Sequence, residues 1–113
     1  MRNNFIALID AFYTKITHDD IISANHITTY LALANLWSMH DYAPTFNVQP
    51  EDIIAYAKLD SLRELRACLK YLEKAEYIKI YPTRIPTNGI GIKMISLYKN
   101  DKNSNQNDNR IIK

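Results

Sequence analysis

The sequence predicts a mainly α-helical α+β domain ending in a small β-hairpin, and three observations predict it. Apolar residues recur at steps of three and four through the chain up to about residue 76. Alternation with period two then sets in at Tyr77-Ile78-Lys79-Ile80-Tyr81 and returns at 92–98, on either side of the turn dipeptide Asn88-Gly89. A length of 113 residues, 47% hydrophobic and 23% charged, suits one domain with an ordinary soluble core.

The elements follow in order. Phe5, Ile9, Phe12 and Ile16, flanked by Ile6 and Tyr13, form the apolar face of an amphipathic first helix. Thr17 to Ser23 connects it to a second helix from about His26 to His40, with Asn25 as its expected cap. Ile27, Tyr30, Leu31, Leu33, Ala34, Leu36 and Trp37 leave that helix no charged face, as expected of an element covered on several sides or by a second subunit. Thr45 to Val48 reads as a very short strand. Pro50 suits the first position of a third helix running to Ala57, with Glu51 and Asp52 at its positive end. After the turn Lys58-Leu59-Asp60, Ser61 and Glu64 have the spacing of a reciprocal capping box. They open a fourth helix whose Leu62, Leu65, Leu69 and Leu72 share one face, with Cys68 at its margin. The domain is expected to span 1–98, with the two helices at about 50–75, the hairpin at about 77–98 and a disordered polar tail at 99–113.

Several function classes are excluded on composition. One cysteine and three histidines offer neither a disulfide framework nor a zinc set, so no metal and no cofactor are expected. The uncharged stretch Ile21 to Met39 is broken by Ser23, Asn25, His26, Thr28, Thr29, Asn35 and Ser38, which argues for a soluble helix over a membrane span. Met1 to Asn4 carry no signal-peptide pattern, and a cytoplasmic location is expected. There is no phosphate-binding glycine loop and no nucleophile or metalloprotease motif, so no enzyme is expected. Asp19-Asp20 and Glu51-Asp52 read as a surface loop and a first helical turn rather than catalytic pairs.

Charge is unevenly distributed. Residues 1–57 carry two basic side chains against six acids, a net of −4, while 58–113 carry twelve against six, a net of +6. The basic half holds the fourth helix and the hairpin, and with the third helix immediately ahead of it the chain has two helices joined by a tight turn and then a hairpin. That is the order of a winged helix-turn-helix, in which the second helix of the pair enters the major groove of DNA. Opposite its leucines the fourth helix presents Arg63, Ala67, Lys70, Tyr71 and Lys74, with Arg66 and Glu64 at the edges. Ser61, Arg63, Glu64 and Ala67 are the expected base-proximal positions, and Arg66 borders them. Lys70, Lys74, Arg84 and Lys93 are the expected phosphate contacts.

Phe46 to Tyr98 resembles the winged-helix domain of small bacterial, prophage and plasmid proteins of the replication-initiator and transcription-regulator kind. The resemblance rests on F-N-V-Q-P-E-D-I-I, L-D-S-L-R-E-L-R-A-C-L-K-Y-L-E-K-A-E-Y-I-K-I and K-M-I-S-L-Y. The leading F-I-A-L-I-D-A-F-Y and L-A-N-L-W are similar to the helical lead-in of primosome-related members. The resemblance implies double-stranded DNA as partner, replication initiation or transcription regulation as role, and a homodimer formed through the N-terminal helices. Primosome-related members imply an alternative, a protein–protein assembly module that uses the same fold for oligomerisation or for contact with replication proteins, without sequence-specific DNA binding. Such proteins often place glycine where this chain has Lys58 and Glu76. If either site requires positive φ, the side chain there costs on the order of 1 kcal/mol.

Overall fold

Serine 23, two residues ahead of the asparagine that the pattern suggests, starts the long central helix. In the computed structural model, which describes residues 2–83 and 85–97, the Ser23 hydroxyl accepts from the backbone N–H of His26 at 3.5 Å. The His26 Nδ1 accepts in return from the Ser23 N–H at 2.9 Å. An imidazole thus plays the part that Glu or Gln plays in the usual capping box, and the helix, α2, runs Ala24–Met39. Asn25 lies inside its first turn, where its carbonyl accepts from Thr28 and Thr29 at 3.2 and 2.7 Å.

The described residues form a mixed α+β structure of four helices and a three-stranded antiparallel sheet. They group into two units: residues up to Asp20 with Ser96 and Leu97, and Ile21–Ile95. In the first unit, helix α1 spans Arg2–Ile16. Leu8 and Phe12, one turn apart, are its buried positions, whereas Ile6 and Tyr13 are exposed. Hydroxyls of Thr14 and Thr17 donate to the carbonyls of Asp10 and Thr14, closing the last turn.

In the second unit α2 is followed by strand β1 (Phe46–Val48), helix α3 (Pro50–Ala57), helix α4 (Leu62–Lys74), strand β2 (Ile78–Tyr81) and strand β3 (Ile90–Met94). Consecutive left-handed residues Asp41 and Tyr42, φ 57° and 59°, turn the chain out of α2. The Trp37 indole holds that turn by donating to the Ala43 carbonyl at 3.0 Å. Lys58, φ 59°, ends α3, and Glu76, φ 66°, turns the chain from α4 toward β2. Both sites at which the resemblance would place glycine, Lys58 and Glu76, are therefore left-handed here and built with side chains.

The hairpin expected from sequence is part of a larger sheet. Its strand order is β1-β3-β2, so β3 is central, and β3 ends at Met94 rather than continuing to 98. Phe46 pairs with Ile92 on one side of β3, and Ile80 with Ile92 on the other. A Cβ at Gly89, φ 78°, would lie 2.2 Å from the Val48 carbonyl oxygen, so the return into β3 requires glycine. Burial of Tyr30, Leu33, Ile53, Leu65, Leu72, Tyr77, Ile78 and Ile92 makes a single core from α2, α3, α4 and the inner face of the sheet. Leu62, expected on the leucine face, is 43% exposed: it is the first helical residue and lies one turn ahead of the buried row Leu65, Cys68, Leu69 and Leu72. The tail assigned to 99–113 lies outside the described residues.

Candidate nucleic-acid interface

Helix α4 starts on Ser61, whose hydroxyl accepts from the Glu64 N–H at 3.1 Å. The second half of the expected box is altered, because the Glu64 carboxylate takes the N–H of Asp60, at 3.2 Å, and not that of Ser61. Its other oxygen accepts from the side-chain amide of Asn25. Glu64 therefore ties the start of α4 to the first turn of α2. A second tie lies two turns on, where the Tyr71 ring stacks on His26 with centroids 4.4 Å apart and planes 23° from parallel. The residue expected on the solvent face is thus half-buried against α2. Asn25 and His26 are the positioning residues that sequence reasoning missed; the Ser-x-x-His spacing was the available signal for the second.

The outward face of α4 is basic. Arg63, Arg66, Ala67, Lys70 and Lys74 are all exposed, and Ser61 is exposed at its start. None of the four cations has an ion pair with a described residue. Arg66 and Lys70, and Lys70 and Lys74, are spaced i,i+4, so like charges stack along the helix at a cost of roughly 0.2–0.5 kcal/mol per pair. Glu73, beside Lys74 in sequence, is engaged elsewhere: its carboxylate accepts from the Ile80 N–H at 3.0 Å and covers the free edge of β2. Glu64, expected among the base-proximal residues, is half-buried and spends both oxygens on internal hydrogen bonds.

Lys93 is exposed on β3 and stands directly opposite Lys79 of β2, also exposed. Lys79 was missed from sequence, although the alternation that defines β2 already puts it on the solvent side. Arg84 lies outside the described residues. Behind α4, burial pushes the Cys68 thiol above its ordinary pKa, a shift opposed by its side-chain hydrogen bond with Thr29 and reinforced by the Glu64 charge. A thiol held protonated and buried is a poor nucleophile. Among the described residues no group of three or more His, Cys, Asp or Glu side chains is placed to hold a metal ion. No described helix is long and apolar enough to cross a membrane.

Comparison with protein-family models, with curated proteins and with solved structures finds no match to this chain.

Proposed function

We propose that the protein is a winged-helix DNA-binding protein that reads duplex DNA with α4. The observation that carries the reading is the exposed row Arg63, Arg66, Lys70 and Lys74, without an ion-pair partner among the described residues and at a repulsive spacing. A polyanion relieves that repulsion, and a major groove about 12 Å wide admits one helix. The order α2-β1-α3-α4-β2-β3, with β1 paired to β3, supports the same reading, because a winged helix needs a helix pair followed by a hairpin. In it, Ser61, Arg63 and Ala67 face base edges, Lys70 and Lys74 meet phosphates, and Lys93 adds a phosphate contact from the sheet. As a homodimer formed through its N-terminal helices, the protein would act in replication initiation or transcription regulation of a bacterial or mobile element.

The test is a fluorescence-anisotropy titration of a labelled random duplex at several salt concentrations, with the wild type and with Arg63→Ala/Lys70→Ala. Each phosphate contact contributes about 0.9 to the slope of log affinity against log salt. The double variant is expected to bind more weakly at low salt and to lose up to about 1.8 from that slope. Equal affinity for both proteins, or no duplex binding at low salt, would overturn the reading.

A further inference from the structure

We infer that the open face of the sheet binds a single strand of nucleic acid, with Tyr81 as a stacking platform and Lys79 and Lys93 as its phosphate contacts. This is a second site, on the sheet rather than on the outward face of α4; it shares Lys93 with the duplex reading but does not depend on that reading.

Asn47, Gly91 and Tyr81 occupy one row across the three strands, since Gly91 pairs with Asn47 on one side and with Tyr81 on the other. A Cβ at Gly91 would lie 3.3 Å from Asn47 Oδ1, 3.3 Å from the Tyr81 Cβ and 3.1 Å from the Tyr81 carbonyl oxygen. Asn47 and Tyr81 therefore rise from the same face and close in over the central strand where it has no side chain. Tyr81, whose Cβ borders this bare strip of backbone, is 41% exposed. Nothing larger than glycine would leave the strip flat.

In the next row Lys79 faces Lys93 directly, both exposed and neither ion-paired to a described residue. Like charges directly opposite each other destabilise a sheet, and β1, β2 and β3 carry no Asp or Glu of their own, while the Glu73 carboxylate at the β2 edge is engaged by the Ile80 N–H. The charge pattern calls for an anion lying between the two ammonium groups. Lys79 and Tyr81 are two residues apart on one strand, hence about 7 Å apart on the same face. A phosphate and its neighbouring base, linked through one sugar, meet that combination of cation and aromatic ring. In a duplex the base faces are already stacked on one another, whereas a single strand offers them to a protein ring. An acidic peptide would satisfy the lysines but would leave the ring without a role.

The experiment uses the full chain and a fluorescein-labelled oligothymidine, which has no structure of its own, titrated by anisotropy at several salt concentrations. Wild type is expected to bind it, Tyr81→Ala to bind about tenfold more weakly, and Tyr81→Phe to restore the affinity because it keeps the ring. Lys79→Ser is expected to lower the salt slope by about 0.7, the share of one phosphate contact on a single strand. Thermal melts by circular dichroism confirm that each variant is folded. Tyr81→Ala should leave binding of the random duplex within twofold of wild type. Oligothymidine binding that needs Tyr81 in a protein without duplex affinity would uphold this inference while removing the duplex reading. Absence of oligothymidine binding would overturn it, as would equal binding by wild type and Tyr81→Ala, or loss of binding in Arg63→Ala/Lys70→Ala but not in Tyr81→Ala.

Discussion

Lys58 shows how much one dihedral angle can be worth. Its left-handed backbone, φ 59°, lets the Leu59 N–H reach the Ile54 carbonyl at 3.1 Å and swings α4 away from α3. For a residue with a Cβ that conformation costs roughly 1–2 kcal/mol, whereas glycine adopts it freely but loses more entropy on folding. The difference favours glycine, so Lys58→Gly is expected to stabilise the protein by about 0.5 kcal/mol, with Lys58→Ala close to neutral. A raised urea midpoint at unchanged slope would show it; a lowered one would mean that the lysine side chain itself holds the turn. Tyr30 makes a second prediction. Burial, with a smaller contribution from Tyr77 6.0 Å away, pushes its phenol well above the ordinary value of about 10. The folded protein therefore keeps a proton that the unfolded chain releases. That contribution is intact below pH 10 and is lost as pH rises beyond it. Urea midpoints between pH 9 and 11 should fall, and fall less steeply in Tyr30→Phe.

At the scale of elements, every helix was legible from apolar spacing, and the errors cluster where side chains replace backbone patterns. The α2 cap was misplaced because His26 acts as a capping-box acceptor through Nδ1, a role that intrinsic preference assigns to Glu or Gln. The sheet was underestimated for a different reason. Three-residue β1 pairs with β3 across some forty residues of chain, and nothing in its own alternation names that partner. On α4 the basic row was legible from periodicity, but Tyr71 and Glu64 were assigned to solvent when contacts from α2 engage both. Spacing on one helix fixes a side chain's direction and leaves open what meets it. The cap of α4 is a clean test of this local logic, since Ser61 is exposed and its hydroxyl accepts from Glu64 N–H. Ser61→Ala is expected to cost about 1 kcal/mol and Ser61→Asp almost nothing, measured by chemical denaturation. Equal losses in both would show that the hydroxyl has a role other than capping.

For the whole molecule the question is where two copies would meet. The reading from sequence expected both N-terminal helices to supply the contact, yet α2 already buries Tyr30, Ala32, Leu33, Ala34 and Leu36. Its exposed positions are mainly small or polar, Ala24, Asn25, Thr28 and Asn35 among them. Helix α1 differs: Ile6 and Tyr13 lie two turns apart on one face and are 58% and 47% exposed. Such a pair, at a spacing of seven, is what one helix offers another in a paired seam. Removing two large apolar side chains from water across a two-fold axis contributes in duplicate, because each residue is buried in both copies. Sedimentation velocity of the full chain should therefore show a species whose size grows with concentration across the micromolar range. Ile6→Glu/Tyr13→Glu should be monomeric at the same concentrations, with unchanged far-ultraviolet circular dichroism. If α1 sets the assembly and α4 the contact with DNA, the monomeric variant should still bind a random duplex with a normal salt slope per protein. A strictly monomeric wild type would sink the dimer and leave each copy to act with one α4 alone.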